Sequence, residues 1–364
     1  MHSEKPLLTV VVPVYNVEKY LGDCLDSLVN QTVLDHRIIV VNDGTKDNSG
    51  EIAKDYAAKY PELIRYIEQE NQGLGAARNT GLALADTEFV TFLDSDDWWD
   101  CLFVEKLKYH LARHDENPDL IFTLPWIYDN ASGRVITWYD KPVLDELFFP
   151  DVGGNENAIS KTISAATNRR IYELEANACR RIYRTEFLKQ ENFAFPVGVK
   201  WEDVQPHFQL LKKAKRCIAI RSTGFFYRIN TGGQITSGGG ASRLDLFTVF
   251  SDTLKMAYDN HWPAEDISYI LRMLWNFSTW SIGITNNDYI DSLLEKLHEL
   301  FTSIPKKYFK VYFKLCSPQP RKDILLTTII RSPFFRILKD YRHRDYGTRV
   351  REKIWQIRGK IRRR

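Results

Sequence analysis

Short β-branched runs alternate with stretches of helical periodicity along the first third of the chain, and this alternation restricts the fold more than any other feature. Residues 7–14 form a strand-like run, after which Val17, Leu21, Leu25 and Leu28 repeat at helical spacing. The order recurs as strand 37–41 and helix 49–60, strand 63–67 and helix 73–85, strand 88–93 and helix 100–114, then strand 119–124. Such alternation builds a mainly parallel sheet covered by helices on both faces. Ligands of these sheets gather at the carboxyl ends of the strands. Those ends carry Tyr15-Asn16, Asn42-Asp43-Gly44, Gln69-Glu70-Asn71 and Asp94-Ser95-Asp96, four polar segments expected on one rim.

The last of them places three carboxylates, Asp94, Asp96 and Asp97, within four residues at the end of an apolar run. Side chains alternate along a strand, so Asp94 and Asp96 project to one side where the sheet opens to solvent. Hard oxygen ligands there suit Mg²⁺ or Mn²⁺ shared with a phosphate better than zinc. A solvated acidic turn leading into a helix is the plainer alternative, with Asp97 capping the helix that begins near Trp99.

From 125 to 175 the alternation fails, and Trp126, Trp138, Phe148 and Phe149 mark an insertion expected to shape an acceptor cleft. Helical character returns over 176–190. Trp201-Glu202-Asp203 then opens another helix that runs through Lys213, and strands are expected at 217–221 and 224–229. Residues 230–240 hold five glycines, a composition that suits either a closing lid or a plain flexible linker. Beyond 241 a helical pattern carries Phe247, Phe250, Trp275, Phe277 and Trp280 on a packing face. Three segments follow: 1–240, a helical region 241–320, and a basic amphipathic tail 321–364.

Charge divides along the same line. The tail carries 15 Lys and Arg against 4 Asp and Glu, or +11, in a chain of net +3, which leaves the body at −8. A basic amphipathic tail suits an anionic membrane surface. Nucleic acid is not expected, because no reading module accompanies the tail and the body is acidic. A docking helix for a protein partner is the remaining alternative. Five cysteines without CxxC spacing point to a reducing cytoplasm. Neither a signal peptide nor a run of about 18 apolar residues is found. The expected location is therefore cytoplasmic, at the inner face of the membrane, with homo-oligomerisation left open.

Taken in order, Val11-Val12-Pro13-Val14-Tyr15-Asn16, Val40-Val41-Asn42-Asp43-Gly44-Thr45, Gln69-Glu70-Asn71-Gln72-Gly73-Leu74-Gly75-Ala76-Ala77-Arg78-Asn79 and Phe92-Leu93-Asp94-Ser95-Asp96-Asp97 resemble the family 2 glycosyltransferases of GT-A fold. The resemblance implies a Rossmann-like, mainly parallel α/β sheet flanked by helices, with a helical C-terminal region. It also implies a metal-dependent, inverting transfer of a hexosyl or N-acetylhexosaminyl group from a UDP-sugar. By the family pattern, Pro13 and Tyr15 face the uracil and Asp43 accepts its N3–H, while Asn71 and Arg78 hold the diphosphate side. Asp94 belongs to the ribose and metal neighbourhood, and Asp96 coordinates Mn²⁺ or Mg²⁺. Trp201-Glu202-Asp203 resembles the family's acidic pair, with Asp203 the general base and Glu202 its neighbour; a helix N-terminal acidic pair is the plainer reading. Arg228 and Ser237 resemble a segment that approaches the diphosphate, although Arg228 could equally pair with a surface carboxylate. Asn79 is read as a capping or packing residue, and His207 as structural.

Thr45 stands where the family usually has serine, and the Gln-x-x-Arg-Trp signature of processive synthases is missing from the sequence. The expected acceptor is a glycan, a lipid-linked saccharide or a teichoic-acid-like polymer of the bacterial cell surface. Two rivals remain: an inactive glycan-binding module of the same fold, and a metal-dependent phosphotransferase using Asp94 and Asp96.

Overall fold

In the computed structural model, which describes residues 5–114, 117–155, 157–231, 240–332 and 335, the chain divides into two compact units, Met1–Ser237 and Gly238–Arg364. The first begins β1 (Leu8–Val14), α1 (Leu21–Val29), β2 (His36–Asn42), α2 (Ser49–Lys59), β3 (Ile64–Glu68), α3 (Leu74–Ala83) and β4 (Phe89–Phe92). These four strands pair in parallel in the order β3-β2-β1-β4. All seven residues of β1 are buried, which is why it reads as an unbroken apolar run.

Past β4 the sheet turns mixed. It continues with β5 (Trp98–Trp99), α4 (Phe103–Leu111), β6 (Leu120–Asp129), β7 (Arg134–Thr137), α5 (Lys141–Phe148), β8 (Arg181–Arg184), α6 (Thr185–Gln190), α7 (Val204–Lys213) and β9 (Cys217–Ile229). The order is β3-β2-β1-β4-β8-β6-β9-β5, with β7 on β6, nine strands among the described residues. The 125–175 insertion is thus a β6–β7 hairpin followed by α5.

Three local expectations are corrected. The helix expected over 176–190 is instead a central antiparallel strand, β8, and only then the short α6. Tertiary partners decide this: the buried Arg181 guanidinium donates to the Glu175 carbonyl (3.1 Å) and to His207 Nδ1, and Arg184 pairs with Asp119. Trp98 and Trp99, expected at a helix start, pair with Phe226 and Phe225 of β9. The two strands expected between 217 and 229 are one, and register shifts around Leu124 of β6 absorb the irregularity.

The second unit is helical: α8 (Asp245–Asp259), α9 (Ala264–Ile284), α10 (Asn287–Ser303), α11 (Lys306–Leu315) and α12 (Pro320–Ile330). Phe247, Phe250 and Trp275 are buried, and Phe277 packs between Phe250 and Trp280, so the aromatic face is core. None of the five cysteines forms a disulfide. Among the described residues no helix is long and apolar enough to cross a membrane.

Candidate active site

The rim of β1 to β4 is built around two buried polar groups. Asp43, just past the end of β2, is 3 % exposed and is held by donors from the β3–α3 connection. Gln69 Nε2 (2.8 Å) and the Gln72 N–H (2.9 Å) donate to Oδ1, and the Gly73 N–H (2.8 Å) donates to Oδ2. Gly73 caps α3 at φ +89°, a conformation that would strain a residue with a side chain. Asn71 donates to the Asp43 carbonyl (3.0 Å) and is itself exposed. Pro13 is buried within β1, whereas Tyr15 is 45 % exposed beyond its end, so Tyr15 is the open ring of the two expected at a base.

Arg78 is the second group. Its side chain is 1 % exposed and forms three ion pairs of 2.8 Å: Nη2 with Asp94 Oδ1, and Nη1 with Glu202 Oε1 and Asp203 Oδ1. The sequence reading set Arg78 against phosphates; here carboxylates occupy its guanidinium. Asp203 Oδ2 accepts the Ala178 N–H (3.2 Å). Burial pushes both Glu202 and Asp203 above the ordinary carboxylate range, and Arg78 pulls each back down.

The acidic pair is positioned from α3 as well. Asn79, adjacent to Arg78, donates from Nδ2 to the Phe195 carbonyl (2.9 Å) and accepts the Phe195 N–H at Oδ1 (2.7 Å). One carboxamide therefore pins the backbone of the loop that precedes Glu202. On the first turn of the same helix, a Cβ on Gly75 would lie 2.1 Å from the Pro196 carbonyl oxygen, so only glycine admits the loop this closely. Trp201 holds φ +68°, a costly conformation for a bulky residue, immediately before Glu202.

At the end of β4, burial and then the charge of Asp94 push Asp96 up to about 6. Among the described residues no set of three or more His, Cys, Asp or Glu is arranged to hold a metal ion alone. Asp94 and Asp96 would need phosphate oxygens and water to complete a shell, which is how Mg²⁺ and Mn²⁺ are commonly bound beside nucleotides. Burial also pushes the thiols of Cys24 and Cys179 well above their ordinary range.

Asp97 is fully buried and accepts the Arg228 backbone N–H (2.8 Å), so it anchors β9 and does not cap α4. Arg228 Nε donates to the Asp96 carbonyl (2.8 Å), its Nη2 pairs with Asp23 (2.9 Å), and its guanidinium lies 4.5 Å from the Trp98 ring centre. Arg228 thus buttresses the aspartate turn and pairs with an exposed carboxylate, the alternative allowed from sequence. Ser237 lies outside the described residues, as does most of the glycine-rich segment. His207 is buried, accepts from Arg181 and donates from Nε2 to the Tyr172 carbonyl (3.2 Å), a structural role as expected. Sequence reasoning missed Asn79 as a loop clamp; its adjacency to Arg78 was the available signal.

Residues 9–188 match the sequence profile of Glycosyl transferase family 2. The chain is 33 % identical over 225 residues to glycosyltransferase GlyA of Streptococcus pneumoniae serotype 4, which covers 62 % of this chain and 31 % of GlyA. It is 48 % identical over 236 residues to EpsH of Bacillus subtilis, 62 % of each. The match thus spans less than two thirds of either relative. The solved structure of S. aureus TarS residues 1–349 with UDP-GlcNAc shares the fold at TM-score 0.63 and 19 % identity, over 88 % of this chain and 89 % of that one. With the four rim motifs in family order on a GT-A-like sheet, the chain carries a domain of glycosyltransferase family 2.

Proposed function

We propose that the protein is an inverting glycosyltransferase that moves one sugar from a UDP-sugar to a hydroxyl of a cell-surface glycan, lipid-linked saccharide or polyol-phosphate polymer. The observation that carries this reading is the Arg78 junction, where Asp94 meets Glu202 and Asp203 through a single buried guanidinium. In this reading, Asp43 and Tyr15 bind the base, and Asn71 holds the loop around it. Asp203 removes the proton of the acceptor hydroxyl as its oxygen attacks the anomeric carbon from the face opposite UDP. The bond from that carbon to the UDP oxygen breaks, and configuration inverts. Glu202 lies on the same guanidinium and lines the acceptor or sugar site. Mg²⁺ or Mn²⁺ held by Asp94 and Asp96 would supply positive charge to the departing diphosphate. The 321–364 tail, at +11, would keep the enzyme at an anionic cytoplasmic membrane face.

Calorimetric titration with UDP, with and without Mn²⁺ and against ADP and GDP, tests the donor class. Asp96→Ala should abolish the metal-dependent UDP affinity, and Asp203→Ala should keep that affinity and stop transfer. Equal loss of affinity in both variants contradicts the division of roles, and affinity for GDP alone overturns the donor.

A further inference from the structure

The last described helix is turned inside out. In α12 the inward positions are polar: Asp323 and Thr327 are each 4 % exposed, and Asp323 accepts from Ser317 (2.6 Å) and from the hydroxyl of Tyr312 on α11 (3.1 Å). The outward face, shared with the exposed Thr328, carries three apolar side chains: Ile324 is 45 % exposed, Leu325 60 % and Ile329 38 %. Spaced i, i+1 and i+5, these three share one face with Arg321. An ordinary surface helix shows the reverse pattern, so this stripe points to something that covers it.

We propose that this face of α12 is a docking surface for an anionic lipid bilayer, with the helix lying in the headgroup plane. Charge identifies the occupant. Residues 306–331 hold seven Lys and Arg against one acid, Asp323, which is buried and hydrogen-bonded. Lys306, Lys307, Lys310 and Lys314 of α11, which packs against α12, are exposed, as is Arg321. The chain that follows, 333–364, carries twelve Lys and Arg against three acids and is repelled by such a surface. A second copy would bring the same sign of charge. Anionic lipid complements both parts, apolar stripe to acyl boundary and lysines to headgroup phosphates. This face lies within the 321–364 segment, so the proposal rests on the membrane role given to that segment and deepens it by naming the folded helix face that binds; it does not rest on the transfer reading.

The test uses the full chain with its tail intact. Sedimentation with vesicles of phosphatidylcholine and phosphatidylglycerol in equal parts is compared with pure phosphatidylcholine, for wild type and for Ile324→Asp/Leu325→Asp. Wild type should bind the anionic vesicles selectively, and the variant should bind at least about tenfold more weakly, because partition scales with apolar area buried. Its circular dichroism melting curve and UDP titration should match wild type. If the variant fails to fold, Ile324→Gln/Leu325→Gln gives the same readout at milder cost. Wild-type affinity in the folded variant overturns the proposal and leaves binding to residues 333–364. Equal binding to both vesicle types removes the charge argument and overturns it too. A wild-type dimer in light scattering that becomes a monomer in the variant, with no vesicle binding by either, makes the face a contact between copies.

Discussion

Replacing Arg78 with methionine keeps most of the side-chain length and removes the charge that Asp94, Glu202 and Asp203 share. Each pair is 2.8 Å long, and the carboxylates are 28 %, 5 % and 19 % exposed, so screening by water is weak. At an effective dielectric of about 20 each pair is worth roughly 4 kcal/mol of attraction, much of it offset by desolvation. Removing one partner of a buried pair costs about 3–5 kcal/mol, because the remaining charges stay buried. We take about 4 kcal/mol near neutral pH, or close to 10³-fold faster amide exchange wherever exchange requires this unit to open. The loss must depend on pH. Without Arg78 the folded-state pKa of the carboxyls rises further, so at a given pH the folded variant binds more protons than wild type. Its deficit therefore shrinks as pH falls, by up to about 1.36 kcal/mol per unit per proton, or roughly 2.7 kcal/mol between pH 7.5 and 5.5. Hydrogen exchange of peptides spanning 74–83 and 195–204, wild type against variant at each pH, reads this directly. A deficit under tenfold at pH 7.5, or one that does not change with pH, refutes the view that Arg78 holds the three carboxylates.

Asn79→Ala leaves the buried N–H and C=O of Phe195 without their side-chain partner and should cost about 2–4 kcal/mol locally. Exchange in 193–203 should rise and kcat fall, with the KM for donor little changed; an unaltered kcat contradicts the clamp. Gly75→Ala must displace the Pro196 carbonyl, at about 1–3 kcal/mol, and should impair transfer more than UDP binding in calorimetry. Because burial raises the folded-state pKa of Asp203 and Glu202, the base is lost by protonation as pH falls. The acid limb of kcat/KM should lie above the ordinary carboxylate value of about 4, and a limb at that value argues against Asp203 in its buried setting.

The β1 to β4 half of the domain was legible because its information is local. Each rim motif ends its own strand, and parallel pairing of β1 to β4 brings Tyr15, Asp43, Asn71 and Asp94 to one edge without long-range detail. The other half was not. Arg78 meets Glu202 and Asp203 across 124 and 125 residues, and no periodicity reports that meeting. β8 is only four residues long and begins and ends with arginine, and those arginines are received by the distant His207 and Asp119 and by the Glu175 carbonyl just upstream. Asp97 read as a helix cap because its partner, the Arg228 amide, lies 131 residues away.

The antiparallel strand β8 also divides the domain's inheritance. On one side stand β3-β2-β1-β4, encoded contiguously and bearing the groups proposed for the nucleotide; on the other stand β6, β9, β5 and the hairpin, assembled from scattered segments. Insertions and substitutions between residues 125 and 175 fall entirely on the second side. In the proposed reading, changes there rewrite what receives the sugar while the half assigned to its carrier stays untouched, with Arg78 as the joint across which both halves must still agree.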